Sequence, residues 1–311
     1  MKSSASALDD GGKVSARPRQ TQTYLRGLFF RAGIAPRHAL GQNFLIDLNI
    51  LDLIVETAAI GVSDLILEVG TGAGALSTML AERAGGLIAV EIDPAMARLT
   101  TAALKGAPAA RVIEADILKN KNTINPVVID AVRRAVEDNP GLKLKLTANL
   151  PYHIATPLII NLLVHPDLAL ESATVTIQRE LAERLSAAAG SSAYGSASVI
   201  VQALAEIEIV RILPPSVFWP RPRVESAVVA IRSNPAKRSR LEASVGVERF
   251  HPIVRELFLH RRKTLRSVLA RPSAALAAVF PAGEARLRAS GIDGMRRAET
   301  LSVDEFLALV S

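Results

Sequence analysis

The sequence predicts an α/β fold: a doubly wound, mainly parallel sheet with helices on both faces, followed by a small all-helical unit. Three observations predict it. Short apolar runs of strand length recur between helical patterns, the first of them ends in a glycine-rich turn, and the last quarter of the chain turns basic and helical.

Length and composition bound the rest. A chain of 311 residues, 49% of them apolar, can build one large core and one small one. No apolar run approaches membrane-spanning length. The absence of cysteine excludes disulfides and thiolate metal sites, and His38, His153, His165, His251 and His260 show no ligand spacing, so no metal is expected. The net charge of +7 is uneven: residues 1–40 carry seven Lys/Arg against two acids, residues 41–232 sixteen against twenty, and residues 233–311 fourteen against eight. Basic flanks around an acidic middle suit a polyanion gripped from both sides of a catalytic core, although a solvated surface explains much of the same pattern.

Taken in order, residues 1–20 are rich in Ser, Gly and charge and read as disordered, and residues 1–36 as a flexible basic arm. There is no apolar secretion segment, and Asp9 and Asp10 count against a transit peptide, which leaves the cytoplasm as the expected location. After Gly41-Gln42-Asn43-Phe44-Leu45 comes a helix pattern at Ile50, Leu53, Ile54 and Thr57 with Asp47 as its cap. Asp64–Val69 is a strand, Gly70-Thr71-Gly72-Ala73-Gly74 a turn, and Ala75–Arg83 a helix. A second strand, Gly86–Val90, leads into Glu91-Ile92-Asp93, with Pro94 opening the next helix; a third, from Arg111, ends at Asp116. Glu91 stands 21 residues after Gly70, the spacing at which an acid reaches a ribose diol.

The turn is GxGxG, not GxGxxG, and Glu68 directly before it would repel a pyrophosphate. Glu68, Glu91 and Asp116 at consecutive strand ends instead suit a nucleoside cofactor with cationic groups and no phosphate, which describes S-adenosylmethionine. Any one of the three, taken singly, reads equally well as a solvated or capping residue.

Residues 117–141 hold a helix pattern at Ile124, Val127, Val128, Val132 and Val136. The apolar run Leu142–Leu146 then delivers Asn149-Leu150-Pro151-Tyr152 at a strand end, where α/β sheets bind ligands. Pro151 makes this tetrapeptide a stiff, non-helical loop. The Asn149 side-chain carbonyl, the backbone carbonyls of Leu150 and Pro151 and the Tyr152 ring together match the amino group and face of a nucleobase. In isolation the same residues read as a strand end with a capping Asn and a core Tyr.

Further on, Pro157–Val164 and Arg179–Ala189 read as helices, Ser172–Gln178 and Ile207–Leu213 as strands, and Val199–Ala205 as either. A proline-rich segment presents Phe218, a candidate second slab opposite Tyr152, with Arg221 and Arg223 at the surface. Residues 232–240 read as a linker by composition. Phe250–Leu269, which contains Arg261-Arg262-Lys263, and Ala274–Phe280 read as helices.

Together, Gly41-Gln42-Asn43-Phe44-Leu45, Glu68-x-Gly70-x-Gly72-x-Gly74, Glu91-Ile92-Asp93, Asp116, Asn149-Leu150-Pro151-Tyr152, Phe218-x-Pro-x-Pro-x-Val-x-Ser226 and Arg261-Arg262-Lys263-Thr264 make the chain similar to the ribosomal RNA adenine dimethyltransferases over residues 37–311. The resemblance implies a Rossmann-like class I methyltransferase domain over 37–232 and a small helical, basic, RNA-binding domain over 233–311. It implies two methyl transfers from S-adenosylmethionine to the 6-amino group of each of two adjacent adenosines near the 3′ end of small-subunit rRNA, met within a ribosomal subunit or its precursor, by a monomer with no membrane partner. Cofactor contacts fall to Asn43, Leu45, Gly70, Glu91, Asp116 and Asn149, with Gln42, Glu68 and Gly72 bordering them. Target-base contacts fall to Asn149, Leu150, Pro151, Tyr152 and Phe218, and RNA contacts to Arg221, Arg223, Arg261, Arg262 and Lys263.

The chain departs from that pattern at Thr71 (usually Pro), at His153 (usually Asn), in Ser191–Tyr194, which lacks a customary Lys, and in a long segment from Asp116 to Asn149. The macrolide-resistance relatives that act on large-subunit rRNA, DNA adenine methyltransferases, and a non-catalytic RNA-binding assembly or transcription factor on the same fold are the rival readings.

Overall fold

The computed structural model describes residues 21–37 and 41–311, so the expected disorder of residues 1–20 lies outside the described residues. The second half of the expected arm is ordered: α1 (Gln22–Ala32) starts at a Thr21 cap that accepts from Tyr24 N–H and stops at Gly33, which takes a left-handed backbone (φ 65°).

After β1 (Phe44–Leu45), α2 (Leu48–Ala58) begins at Asp47, which caps it through Asn49 N–H at 2.9 Å as its sequence position predicts. Then β2 (Asp64–Val69), α3 (Ala75–Ala81), β3 (Gly86–Glu91), α4 (Pro94–Ala103) and β4 (Ala110–Glu114) alternate as expected. The stretch read as one helix over 117–141 is instead a small hairpin, β5 (Leu118–Asn120) with β6 (Thr123–Ile124), followed by α5 (Pro126–Asp138). Ile124 belongs to the hairpin because Asn125 caps the helix and Pro126 opens it.

The remaining core elements are β7 (Lys143–Asn149), α6 (Tyr152–Val164), β8 (Leu170–Gln178), α7 (Arg179–Leu185), α8 (Ser196–Leu204), β9 (Ala205–Leu213), β10 (Phe218–Trp219) and β11 (Ser226–Ser233). Residues 199–204 are helical, which resolves the ambiguous run, and α6 starts at Tyr152, earlier than the sequence predicts.

Seven strands make one sheet in the order β4-β3-β2-β7-β8-β11-β9, with β11 antiparallel to both its neighbours and the pairs from β4 to β8 parallel. The chain winds outward from β2 through β3 to β4, then returns to β2's other side with β7. The carboxyl ends of β2 and β7 therefore flank the reversal, where an open sheet forms its crevice. Ile66, Leu87 and Ala89 pack under α2 and α3, while Leu65, Leu67 and Val69 pack under α5, α6 and α8.

One buried cation is explained at the far end of the sheet. Lys145 Nζ pairs with Asp64 at 2.9 Å and donates to the carbonyl of Ala59 at 2.9 Å, satisfying the C-terminal end of α2.

The tail does not hang from a linker. Residues 232 and 233 end β11, and residues 235–244 form α9 (Pro235–Ser244). Lys237 Nζ donates to the carbonyls of Gln202 (3.0 Å) and Ala205 (3.2 Å), and Arg238 to that of Leu163 (2.8 Å). These cations read as linker composition, yet they tie α9 to the ends of α6 and α8. The run read as one helix over 250–269 is α10 (Val247–Leu259) and α11 (Leu265–Ala270), separated by a turn at His260–Lys263 and a new cap at Thr264. Then come α12 (Ala274–Val279), α13 (Gly283–Ala289) and α14 (Val303–Val310). Leu241, Phe250, Ile253, Leu257 and Phe306 belong to the same buried cluster as the sheet's Leu146 and Val175, so a boundary at 232/233 cuts through one core.

The shared core has a measurable consequence. Leu241 is fully buried, and Leu241→Ala is expected to cost about 2–5 kcal/mol of stability while sheet and tail still unfold in a single urea transition. Two separated transitions, by circular dichroism and by the fluorescence of Trp219, the chain's one tryptophan, would show a tail that folds independently.

Candidate active site

Three backbone segments meet at the carboxyl ends of β2 and β7: the glycine turn 70–74, the segment 41–45 and the β7–α6 junction. They wall an open cleft of about 1050 Å³, its mouth included. All three glycines of the turn have positive φ (76°, 56° and 81°). A Cβ on Gly70 would lie 3.0 Å from Pro151 Cδ, and one on Gly72 would lie 2.9 Å from Phe44 Cδ1, so glycine is needed for the close approach as well as the backbone angle. Thr71, where the resemblance leads one to expect proline, hydrogen-bonds Thr100 of α4 at 2.7 Å, and Thr100 Oγ1 donates to the carbonyl of Gly72 at 3.1 Å. The turn is thus pinned by hydroxyls.

The strand ends supply the charge. Glu68 is 2% exposed, its Oε2 finds no partner among the described residues, and burial pushes its carboxyl up to about 8. Glu91 Oε2 accepts from Gly72 N–H and Oε1 from Asp93 N–H, both at 3.0 Å; burial raises its pKa against the pull of these donors. Asp116, at the mouth, accepts from Leu118 N–H at 2.9 Å. All three line the cleft, and among the described residues no Lys or Arg does.

The β7–α6 junction supplies the acceptors. Asn149 Nδ2 donates to the carbonyl of Asn43 at 2.9 Å, which fixes the amide and leaves its oxygen as an acceptor in the cleft. Ile154 N–H donates to the Pro151 carbonyl at 3.2 Å as α6 begins, which engages one of its two lone pairs and leaves the Leu150 or the Pro151 carbonyl as the expected backbone acceptor. Leu150's side chain is buried. Tyr152 lines the cleft with its hydroxyl held by Ser226 at 2.7 Å; burial raises its pKa.

Gln42, Asn43, Leu45, Glu68, Gly70, Gly72, Glu91, Asp116, Asn149, Leu150, Pro151 and Tyr152 are all brought together around the cleft. Gln42's polar atoms are engaged within the protein, donating to Asp93 at 3.1 Å and accepting from Arg37 N–H at 2.7 Å. Phe218 requires correction. It is 3% exposed, pairs with Leu45 across β10 and β1, packs with Leu213 and Val228, and does not line the cleft as a slab opposite Tyr152. Two-residue pairing to β1 draws it inward, and no sequence period announces so short a strand.

Arg221, Arg223, Arg261, Arg262 and Lys263 are exposed, and Arg261 also pairs with Glu299 at 3.2 Å. Sequence reasoning missed Phe44, Ile92 and Ile117 as apolar cleft walls. Ile92, 46% exposed between two acids at a strand end, was the one visible signal among them.

The inner face of α1 adds a buttress. Phe29 is buried with its ring 5.1 Å from that of Phe44 and 5.9 Å from that of Trp219, and Leu25 and Ala73 join the cluster.

Comparisons with known proteins agree with this geometry. A family model described as "Ribosomal RNA adenine dimethylase" matches residues 35–311. The "Ribosomal RNA small subunit methyltransferase A" of Pelotomaculum thermopropionicum is 40% identical over 297 residues, covering 92% of this chain and 94% of that protein. Its namesake in Listeria monocytogenes serotype 4a is 37% identical, covering 96% of each. Among solved structures, a dimethyladenosine transferase from Plasmodium falciparum superposes with a TM-score of 0.65 at 25% identity, over 85% of this chain and 94% of that one. The 23S rRNA methyltransferase ErmE does so at 0.58 and 25%, over 86% and 98%.

The raised carboxyl carries a test. Glu68 titrates near 8 when folded against an ordinary value of 4.5, so the folded state holds the proton more tightly and stability falls as pH rises from about 4.5 to 8. In the ligand-free protein Glu68→Gln, which mimics the protonated side chain, is expected to match the parent near pH 5 and exceed it at pH 8.5 in urea unfolding. A difference that does not change with pH would mean that Glu68 titrates normally.

Proposed function

The chain belongs to the ribosomal RNA adenine dimethylase family, and from that premise we propose that its cleft carries two methyl groups from S-adenosylmethionine to the 6-amino group of each of two adjacent adenosines near the 3′ end of small-subunit rRNA. The observation that carries this reading is the fixed Asn149 amide, which lines a cleft that also holds three carboxyl groups and a turn kept open by Gly70 and Gly72. The small-subunit assignment rests on relatives of that name at 37% and 40% identity over almost their whole length, against 25% for the 23S enzyme.

The residues present fit the cofactor. Bound there, S-adenosylmethionine supplies an electrophilic methyl group on a positively charged sulfur. Glu91 is placed for the ribose diol, since a carboxylate that already accepts two backbone donors retains lone pairs for hydroxyls. Asp116 would accept from the adenine amine and Ile92 and Ile117 would cover its ring; all three line the cleft, which supports the reading. Glu68, buried with its Oε2 unpartnered among the described residues, would accept from a cationic group, whose approach would draw off its proton. Asn43, Leu45, Gly70 and Gly72 shape the walls, and Gln42 acts through Asp93.

The target amine is a weak nucleophile because its lone pair is delocalised into the ring, so catalysis rests on geometry. The Asn149 carbonyl and the Leu150 or Pro151 backbone carbonyl accept the two amine hydrogens, which favours a pyramidal nitrogen and turns its lone pair toward the methyl group. Pro151 keeps that backbone rigid. Tyr152, locked through Ser226, offers its ring to a base flipped out of the RNA at a cost of a few kcal/mol. The proton leaves the nitrogen late, so no general base is required. Exposed Arg221, Arg223, Arg261, Arg262 and Lys263 supply phosphate contacts, Arg261 also pairing with Glu299 within the tail. We read the protein as a cytoplasmic monomer; among the described residues no helix is long and apolar enough to cross a membrane.

Mapping labelled methyl groups after incubation with unmethylated small subunits and, separately, with naked large-subunit rRNA tests the assignment: adjacent adenosines near the small-subunit 3′ end are expected. Methyl groups on the large-subunit RNA alone would overturn it. Asn149→Ala is expected to lower single-turnover methylation by on the order of a hundred-fold while cofactor affinity stays within several-fold, because the lost contact acts mainly in the transition state. A rise confined to the KM for RNA would make Asn149 a binding residue only.

A further inference from the structure

We propose that the outer face of α1, together with Trp219 and the Arg221–Arg223 loop, is a stacking and phosphate-contact platform for the single-stranded RNA beside the target adenosine. The inference rests on the reading of the chain as an rRNA methyltransferase and adds a surface to it. The helix precedes residue 35, where the family-model match begins, although relatives that cover 96% of the chain extend over it.

Helix α1 divides its residues by face. Leu25 and Phe29 point inward and are buried, while Arg26, Phe30 and Arg31 point outward and are exposed. The helix contains no acid, so its outer charge is wholly positive. Phe30 is 88% exposed. A single apolar side chain on a surface needs no explanation, but this one has company. Arg26, one helical turn before it, sets its guanidinium 5.7 Å over the Trp219 ring. Trp219 leads directly into exposed Arg221 and Arg223. Trp219 is half-buried, its ring packed on Phe29 and Phe44 with Arg26 over it, so it anchors this face while Phe30 and the arginines 26, 31, 221 and 223 supply its exposed groups, an aromatic ring to stack a base and cations to track phosphates.

Its position suits the reaction. The inner side of α1 rests on Phe44, which walls the cleft, so the outer side stands about one helix diameter, ~10 Å, from that wall. Flipping the target out of its stack strips the neighbouring nucleotides of a partner. A neighbour leaving the cleft on this side meets Phe30 as a replacement stacking surface, with Arg26 and Arg31 beside it for its phosphates.

The test uses the full chain with S-adenosylhomocysteine bound. Phe30→Ala is expected to weaken binding of a short single-stranded RNA with two adjacent adenosines, and to raise the KM for unmethylated small subunits, roughly ten-fold. Cofactor affinity, kcat and thermal midpoint stay as in the parent, and Phe30→Tyr restores RNA affinity. Arg26→Ala and Arg31→Ala are each expected to flatten the log-log salt dependence by about 0.7. Trp219, the one tryptophan, reports directly: its fluorescence should change as the short RNA binds, and less so in Phe30→Ala. Unchanged RNA affinity in Phe30→Ala overturns the proposal. So does a lowered thermal midpoint, the mark of a face covered by the chain's own first twenty residues. If the mapped methyl groups lie on a different RNA, the functional reading fails, and the same variants measured on that RNA still decide the platform.

Discussion

The site depends on how closely three backbones approach one another. The glycine turn passes between Pro151 and Phe44 with no room for a Cβ on Gly70 or Gly72, and the Asn43 carbonyl reaches across to hold the Asn149 amide. Each contact needs the others. Without the turn's left-handed glycines, Pro151 would be pushed away and the carbonyl of Leu150 with it. Without Phe44 against Gly72, the segment bearing Asn43 loses its seat and Asn149 its orientation. Cofactor wall and target-amine acceptors are therefore one mechanical unit, and α1 reinforces it through Phe29 on Phe44.

The electrostatics follow from the same crowding. Elsewhere buried charge is matched, as Lys145 is by Asp64 and the end of α2. In the cleft, Glu91 is buried with backbone donors and Glu68 with its Oε2 unpartnered among the described residues, neither facing a cation, and the protein bears the cost of that burial in raised pKa values. Glu68, pushed up to about 8, can hold its proton when the cleft is empty, and the arrangement rewards a ligand that brings positive charge without phosphate. Function here is placed at the expense of local stability, as a raised carboxyl in a cleft implies.

Most of the sheet, and the meeting of the glycine turn with Glu68, Glu91 and Asp116 at one cleft, were legible because they rest on local rules. Strand-length apolar runs, a GxGxG turn and acids at strand ends carry their meaning within a few residues, and Asp47 is a cap wherever its helix packs. What was missed depends on distant partners. Lys237 and Arg238 look like linker residues until the carbonyls at the ends of α6 and α8 are seen beneath them. Ile124 continues a helical period that Asn125 and Pro126 interrupt. Phe218 sits in a motif whose prolines suggest presentation at the surface, but pairing with β1 turns it into the core. Phe44 was inside a quoted motif, yet its part as a cleft wall follows from Gly72's missing side chain, a contact that sequence separation hides.

The shared core of sheet and tail also bears on how RNA is held. A tail on a flexible tether would lend its arginines to the substrate at a concentration diluted by the tether's freedom. Here α9 is bonded into α6 and α8 and Tyr194 of the sheet domain donates to the carbonyl of Leu301 at 2.9 Å, so the tail bearing the exposed cations Arg261, Arg262 and Lys263 keeps a fixed place relative to Asn149. Fixed phosphate contacts cannot follow an arbitrary strand. They favour an RNA whose own folded shape brings its backbone to the tail while a nucleotide reaches the cleft, which matches a target embedded in a structured subunit better than free single strand. Sequence readout is then needed only at the base itself, where the Asn149 carbonyl and the Leu150 or Pro151 backbone carbonyl accept from an exocyclic amine and the Tyr152 ring takes its face.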